Sequence, residues 1–132
     1  MADYQLPAEL RYSAEDEWAR VDGNNVTLGI SDYAQQQLGD IVFVELPEVG
    51  SQVRKGEAFG VVESVKAVSD LFAPVSGQVV SVNGDLADTP ELVNEDCYGG
   101  GWMLVVEASS PDELAVLLDA DAYRKHVDER SD

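Results

Sequence analysis

Short runs of β-branched and other apolar residues, each closed by glycine, proline or asparagine, dominate this chain and point to a β fold. Trp18-Ala19-Arg20-Val21 and Val26-Thr27-Leu28-Gly29-Ile30 flank Asp22-Gly23-Asn24-Asn25. Glycine and asparagine tolerate the positive φ of a tight turn, so this stretch predicts a hairpin. Ile41-Val42-Phe43-Val44-Glu45-Leu46 predicts a strand ended by Pro47-Glu48-Val49-Gly50. Ala58-Phe59-Gly60-Val61-Val62-Glu63 and Leu71-Phe72-Ala73-Pro74 read as further β segments, with turns at Lys55-Gly56 and Ser76-Gly77.

An internal repeat runs through these segments. Gly39-Asp40-Ile41-Val42-Phe43-Val44-Glu45 resembles Gly77-Gln78-Val79-Val80-Ser81-Val82-Asn83. Glu57-Ala58-Phe59-Gly60-Val61-Val62-Glu63 resembles Gly101-Trp102-Met103-Leu104-Val105-Val106-Glu107, and the second half carries an extra loop, about residues 84–100. Either the match is coincidence among valine-rich strands, or two β-halves related by a pseudo-two-fold axis form a flattened barrel or sandwich. Helices are short and few. Ser31 or Asp32 can cap a helix through Tyr33, Ala34 and Leu38, with Gly39 past its end. Ser110-Pro111-Asp112-Glu113 reads as a capping box opening a helix lined by Leu114, Leu117 and Leu118. A second short helix follows, with Tyr123 and Val127 on its inner face. The expectation is one domain over residues 1–132, with a β core at about 10–108 and packed helices at about 111–129.

Charge narrows the partners. The chain has 26 acidic and 8 basic residues, a formal net charge of -18. Nucleic acids and anionic membranes require basic patches, so neither is an expected partner. Cys97 is the only cysteine, which rules out an internal disulfide. Residues 1–7 do not read as a signal or transit peptide, and no apolar run approaches a membrane span. The expected location is the cytoplasm. There is no P-loop, dinucleotide fingerprint or metal-spaced Cys/His cluster, and one histidine and one cysteine leave little for catalysis. No catalytic or metal-ligating residue is expected.

Lys66 is one of three lysines, with Lys55 and Lys125. It interrupts a β-branched run at a place where a strand has to turn. An exposed primary amine at the tip of a rigid hairpin is what an acylating enzyme needs to attach a mobile cofactor arm. The plainer alternative is a solvated lysine on a strand's polar face. Val65-Lys66 lacks the glycine or asparagine that two-residue turns favour, so turn rules alone do not account for the bend.

Glu63-Ser64-Val65-Lys66-Ala67, then Ser69-Asp70-Leu71 and Ala73-Pro74-Val75-Ser76-Gly77, resemble the lipoyl-attachment hairpin of the glycine cleavage system H protein family. The likeness extends through Gly29-Ile30-Ser31-Asp32-Tyr33-Ala34-Gln35, the Leu38-to-Pro47 segment, Asn94-Glu95-Asp96, Tyr98-Gly99, Gly101-Trp102 and Ser110-Pro111-Asp112-Glu113-Leu114, about residues 10–125 in all. The resemblance implies a hybrid barrel-sandwich of the lipoyl/biotinyl-carrier type, with lipoate in amide linkage to Lys66. It implies a non-catalytic shuttle. Such a carrier takes an aminomethyl group from a pyridoxal-phosphate glycine decarboxylase to a tetrahydrofolate-dependent aminomethyltransferase, and is then reoxidised by dihydrolipoamide dehydrogenase. A lipoyl ligase or transferase is the implied modifying partner. The loaded arm is expected to rest in a cleft, for which Glu17 and Asp70 are the matched candidates. Asp16, Cys97 and Gly100 depart from the family pattern, which more commonly has histidine, proline and an acidic residue there. Rival readings are an H-like protein relaying lipoyl groups to other complexes, a biotinyl carrier, or a cofactor-free acidic binding module. The biotinyl reading is disfavoured by Val65 and Ala67, where methionines are usual.

Overall fold

The computed structural model describes residues 4–130; residues 1–3 and 131–132, including the first part of the 1–7 stretch, lie outside the described residues. Among the described residues nine strands form two sheets. The larger runs β1 (Arg11–Tyr12), β2 (Glu17–Asp22), β3 (Asn25–Ile30), β9 (Leu104–Ala108), β8 (Gly77–Val82) and β5 (Gln52–Val53). The smaller is β4 (Ile41–Glu45), β6 (Ala58–Ser64) and β7 (Val68–Phe72). Every pairing is antiparallel. The β2–β3 hairpin closes at Asp22 opposite Asn25, with Gly23 at φ 64°, as its turn residues require.

The two sheets share one core. Val26, Leu28, Val79, Leu104 and Val106 of the larger sheet meet Val44, Val62 and Leu71 of the smaller. Full burial of each such side chain contributes about 1.5–3 kcal/mol relative to exposure. A second apolar cluster joins Tyr4, Leu10, Tyr12, Trp18, Tyr33, Tyr123 and Val127. Within it the rings of Tyr12 and Tyr123 stack at 4.7 Å, fastening helix α4 (Ala120–Arg130) to the sheet.

The repeat segments occupy corresponding places. β4 pairs with β6, and β8 pairs with β9. Each first strand carries a register shift, between Ile41 and Phe43 in β4 and between Val79 and Ser81 in β8. These positions are equivalent in the repeat, so each half has its extra residue (Val42, Val80) at the same place. A bulge bends a strand locally and unpairs that residue.

Helix α1 (Asp32–Leu38) is capped by Ser31, whose hydroxyl accepts from the Ala34 N–H at 3.2 Å. The extra loop holds two single-turn helices, α2 (Asp85–Asp88) and α3 (Leu92–Glu95). Asn83 anchors it by donating to the carbonyls of Gly100 and Trp102 at 2.9 and 2.7 Å. The expected capping box at Ser110 is not formed. Pro111–Val116 is a 3-10 helix, and Ser110 makes no side-chain cap bond. Glu113 instead accepts from the Ser76 backbone N–H at 2.6 Å and its hydroxyl at 3.0 Å. A charged acceptor bonding two donors across the fold outcompetes a local cap.

Candidate functional site

Lys66 stands at the tip of the β6–β7 hairpin and is exposed. The tip is held without glycine. Ser64 is buried, and its hydroxyl accepts from the backbone N–H of Lys66 at 3.2 Å and of Ala67 at 3.0 Å. The Ser64 N–H donates to the Ala67 carbonyl at 2.8 Å. A hydroxyl bonding the backbone ahead of it stands in for the special turn residue. No tip residue takes positive φ; among the described non-glycine residues only Asp16 does, at 78°. Val65, Ala67 and Ser69 flank the amine, with Val65 70% exposed, and Glu63 is half-buried on β6.

The tip leans on the joint between α1 and β4. The Val65 N–H donates to the Asp40 carbonyl at 3.1 Å. Gly39 has φ 81°, a left-handed conformation that favours glycine. A Cβ there would stand 3.3 Å from the Lys66 Cε, so the lysine stem lies across this residue. Asn94 of α3 braces the joint. It donates to the Gly39 carbonyl and the Gln35 side-chain oxygen, both at 2.9 Å, and accepts from the Ile41 N–H at 2.8 Å. Sequence reasoning picked out the Asn94-Glu95-Asp96 motif but gave it no task, because its partners lie 53 to 59 residues away.

Beside the hairpin a cleft of about 190 Å³ runs between α1, β7 and the turn before β2. Ile30, Leu38, Val62 and Leu71 give it apolar walls, and Glu15, Asp16, Glu17 and Asp70 supply carboxyls. Glu17 and Asp70 therefore line one cavity, in different ways. Asp70 is exposed. Glu17 is only 2% exposed and accepts from the Ser13 hydroxyl at 2.6 Å and from the Phe72 N–H at 3.2 Å. β7 is an edge strand, so Phe72 would otherwise leave an unpaired donor; Glu17 satisfies it and ties the two sheets. Burial pushes the Glu17 carboxyl up to about 8, against the opposing pull of its hydrogen bonds from Ser13 and Phe72. Near neutral pH it is largely protonated. Ser13, which also receives the Glu17 N–H at 3.1 Å, was not singled out from the sequence; its place four residues before Glu17 is the signal.

Of the departures from the expected pattern, Asp16 lines this cleft, whereas Cys97 and Gly100 lie in the extra loop. The Asp16 carbonyl accepts from the Ser31 N–H at 2.9 Å, and its carboxylate accepts from the Tyr123 hydroxyl at 2.8 Å. Cys97 is buried, and its carbonyl accepts from the Trp18 indole at 2.9 Å. Burial pushes the Cys97 thiol up to about 12. The Gly100 N–H donates to the Asp96 carboxylate at 3.0 Å. Gly29 lets Trp18 lie flat, because a Cβ there would stand 2.7 Å from the indole ring.

Two antiparallel sheets, a lysine offered at a hairpin tip and a cleft beside it define a scaffold of the lipoyl-carrier type. The family model described as Glycine cleavage H-protein matches residues 10–130. A glycine cleavage system H protein of Anaeromyxobacter sp. (strain K) is 57% identical over 126 residues, covering 96% of this chain and 98% of the relative. The H protein of Symbiobacterium thermophilum is 60% identical over 118 residues, 89% and 92% of the two chains. The crystal structure of the H protein from Mycobacterium marinum superposes with a TM-score of 0.86 at 41% identity, covering 93% of this chain and 99% of that one. The chain belongs to the glycine cleavage H-protein family.

Proposed function

We propose that this protein is the lipoyl-bearing shuttle of a glycine cleavage system, with the lipoyl group in amide linkage to Lys66. The observation that carries the reading is the geometry of the tip: an exposed amine whose backbone is fixed by Ser64 and Asp40. Acylation turns an ammonium into a neutral amide, which crosses apolar surface at far lower cost. The group would supply a disulfide that is reduced as it takes up an aminomethyl unit. The residues of this chain hold the root still and offer a resting place for the arm. A fully extended chain spans at most about 3.6 Å per residue, so Ser69 and Asp70, three and four residues on, lie within about 14 Å of Lys66. That is within reach of a lysine stem lengthened by an acyl chain.

The cleft suits a cationic load. Asp70 supplies an exposed carboxylate, and apolar walls limit water. Glu17, protonated while the cleft is free of cations, would lose its proton to water as an ammonium enters, since a nearby positive charge favours the ionised carboxylate. The chain acts as a non-catalytic carrier. Its partners are the glycine decarboxylase, the aminomethyltransferase, dihydrolipoamide dehydrogenase and a lipoyl ligase or transferase, all in the cytoplasm.

Expression in a lipoylating host tests the reading. Intact mass should show one added lipoyl group, and peptide mapping should put it on Lys66. Lys66→Arg should stay unmodified and abolish glycine-dependent carbon dioxide exchange with the melting temperature unchanged. Exchange that survives in this variant would refute the assignment, and an unmodified parent chain would favour a cofactor-free binding module.

A further inference from the structure

We propose that the outer face of the β4–β6–β7 sheet is the docking surface for the enzyme that acylates Lys66, a protein offering an apolar socket rimmed by lysine and arginine. The proposal rests on Lys66 being the attachment residue. Eight large hydrophobic side chains are exposed among the described residues, and four of them, Val42, Phe43, Val65 and Val68, belong to this sheet and its tip. They are 51%, 47%, 70% and 68% exposed.

Register brings them together. Phe43 lies opposite Glu63 and Glu63 opposite Val68, so the three share one row on one face. The next row on that face is Glu45, Val61 and Asp70. The bulge in β4 breaks the alternation, so consecutive residues Val42 and Phe43 are both exposed while Ile41 and Val44 are buried. The Asp40 carbonyl bonds the Val65 N–H, which joins this patch to the hairpin tip. The result is an apolar strip leading to the amine.

The charge around the strip selects the partner. Glu45 and Asp70 are exposed on this face, Glu63 is half-buried within it, and Asp40 is exposed at its end. An apolar centre with a charged rim is the anatomy of a protein interface. An acidic rim on a chain of net charge -18 attracts a basic surface and repels a second copy of itself. The patch runs up to the tip, so a protein seated on it lies against the Lys66 amine itself, where an acylating enzyme has to act, whereas enzymes that serve the finished arm need only its far end.

The test is steady-state acylation of the purified, unmodified chain by a lipoate–protein ligase with lipoate and ATP. Phe43→Ala should raise KM for the carrier about tenfold with kcat within twofold, as expected for truncating an aromatic anchor. Val42→Thr, close to the same shape, should raise KM severalfold, and both variants should melt within a few degrees of the parent. Val49→Ala and Val116→Ala, exposed elsewhere, should leave KM unchanged. The parental KM should rise with added salt. An unchanged KM in both face variants, or a fall in kcat alone, overturns the docking face while leaving Lys66 as the acceptor. A concentration-dependent dimer lost in Phe43→Ala would give the face to a second copy and overturn the proposal. A parent chain that the ligase does not acylate removes the attachment reading and this surface with it.

Discussion

Glu17 shows how one buried group can carry a measurable load. Its carboxyl rises from 4.5 to about 8 because burial penalises the charged form. The folded chain therefore binds this proton more tightly than the unfolded chain. The resulting stabilisation is complete below about 4.5 and is lost as the pH climbs through about 8, on the order of a few kcal/mol in all. Glu17→Gln mimics the protonated acid, because its amide can donate to the Ser13 hydroxyl while its oxygen accepts from Phe72. Urea unfolding at a series of pH values should show parental stability falling across that range and a flatter profile in Glu17→Gln. Parallel profiles would remove Glu17 as the source. At this scale the sequence was partly legible. The Lys66 motif stood out, and Glu17 and Asp70 both border the cavity beside the hairpin, where a role for them in holding the arm is proposed. The bend at Val65-Lys66 was not legible, because a buried serine hydroxyl replaces the glycine that turn rules look for.

At the scale of elements, the joint between α1 and β4 depends on a helix that arrives from the extra loop. Asn94→Ala removes an acceptor from the Ile41 N–H and donors from the Gly39 carbonyl and Gln35. Leaving partly buried groups unpaired costs about 1–3 kcal/mol each where water cannot replace the lost partner. The variant should melt several degrees lower, and the Val65 amide, bonded to Asp40, should exchange its hydrogen faster by NMR. Unchanged exchange at Val65 would separate Asn94 from the hairpin tip. Strands, the β2–β3 turn and α1 with its Ser31 cap were readable because each is written in adjacent residues. The capping box was misread for the opposite reason. Ser110 and Glu113 have the right spacing, yet Glu113 finds a stronger claim at Ser76, 37 residues away. Two short helices inside the 84–100 loop were missed because single turns carry no periodicity.

For the whole molecule, an excess of negative charge sets two opposing responses to salt. Eighteen uncompensated charges repel within a chain of 132 residues, so screening should favour the compact state. The melting temperature should rise by a few degrees between about 10 mM and 150 mM sodium chloride, where the Debye length shortens from about 30 to 8 Å. A melting temperature that falls over that range would show that internal attractions outweigh the repulsion. The internal repeat, faint as letters, is clearer in space, where equivalent strands carry equivalent bulges. Sequence comparison scores residue identity, whereas the strand irregularity is a property of pairing and has no letter of its own.

The interior thiol has a chemical consequence if, as proposed, Lys66 bears a strained sulfur–sulfur ring. Exchange with such a ring needs a thiolate, and Cys97, buried and pushed up to about 12, stays in the unreactive thiol form at neutral pH. On the carrier reading, the tethered ring has no nucleophile of its own protein to open it. The oxidised ring therefore stays closed for its partner enzymes instead of being captured by its own protein as a mixed disulfide.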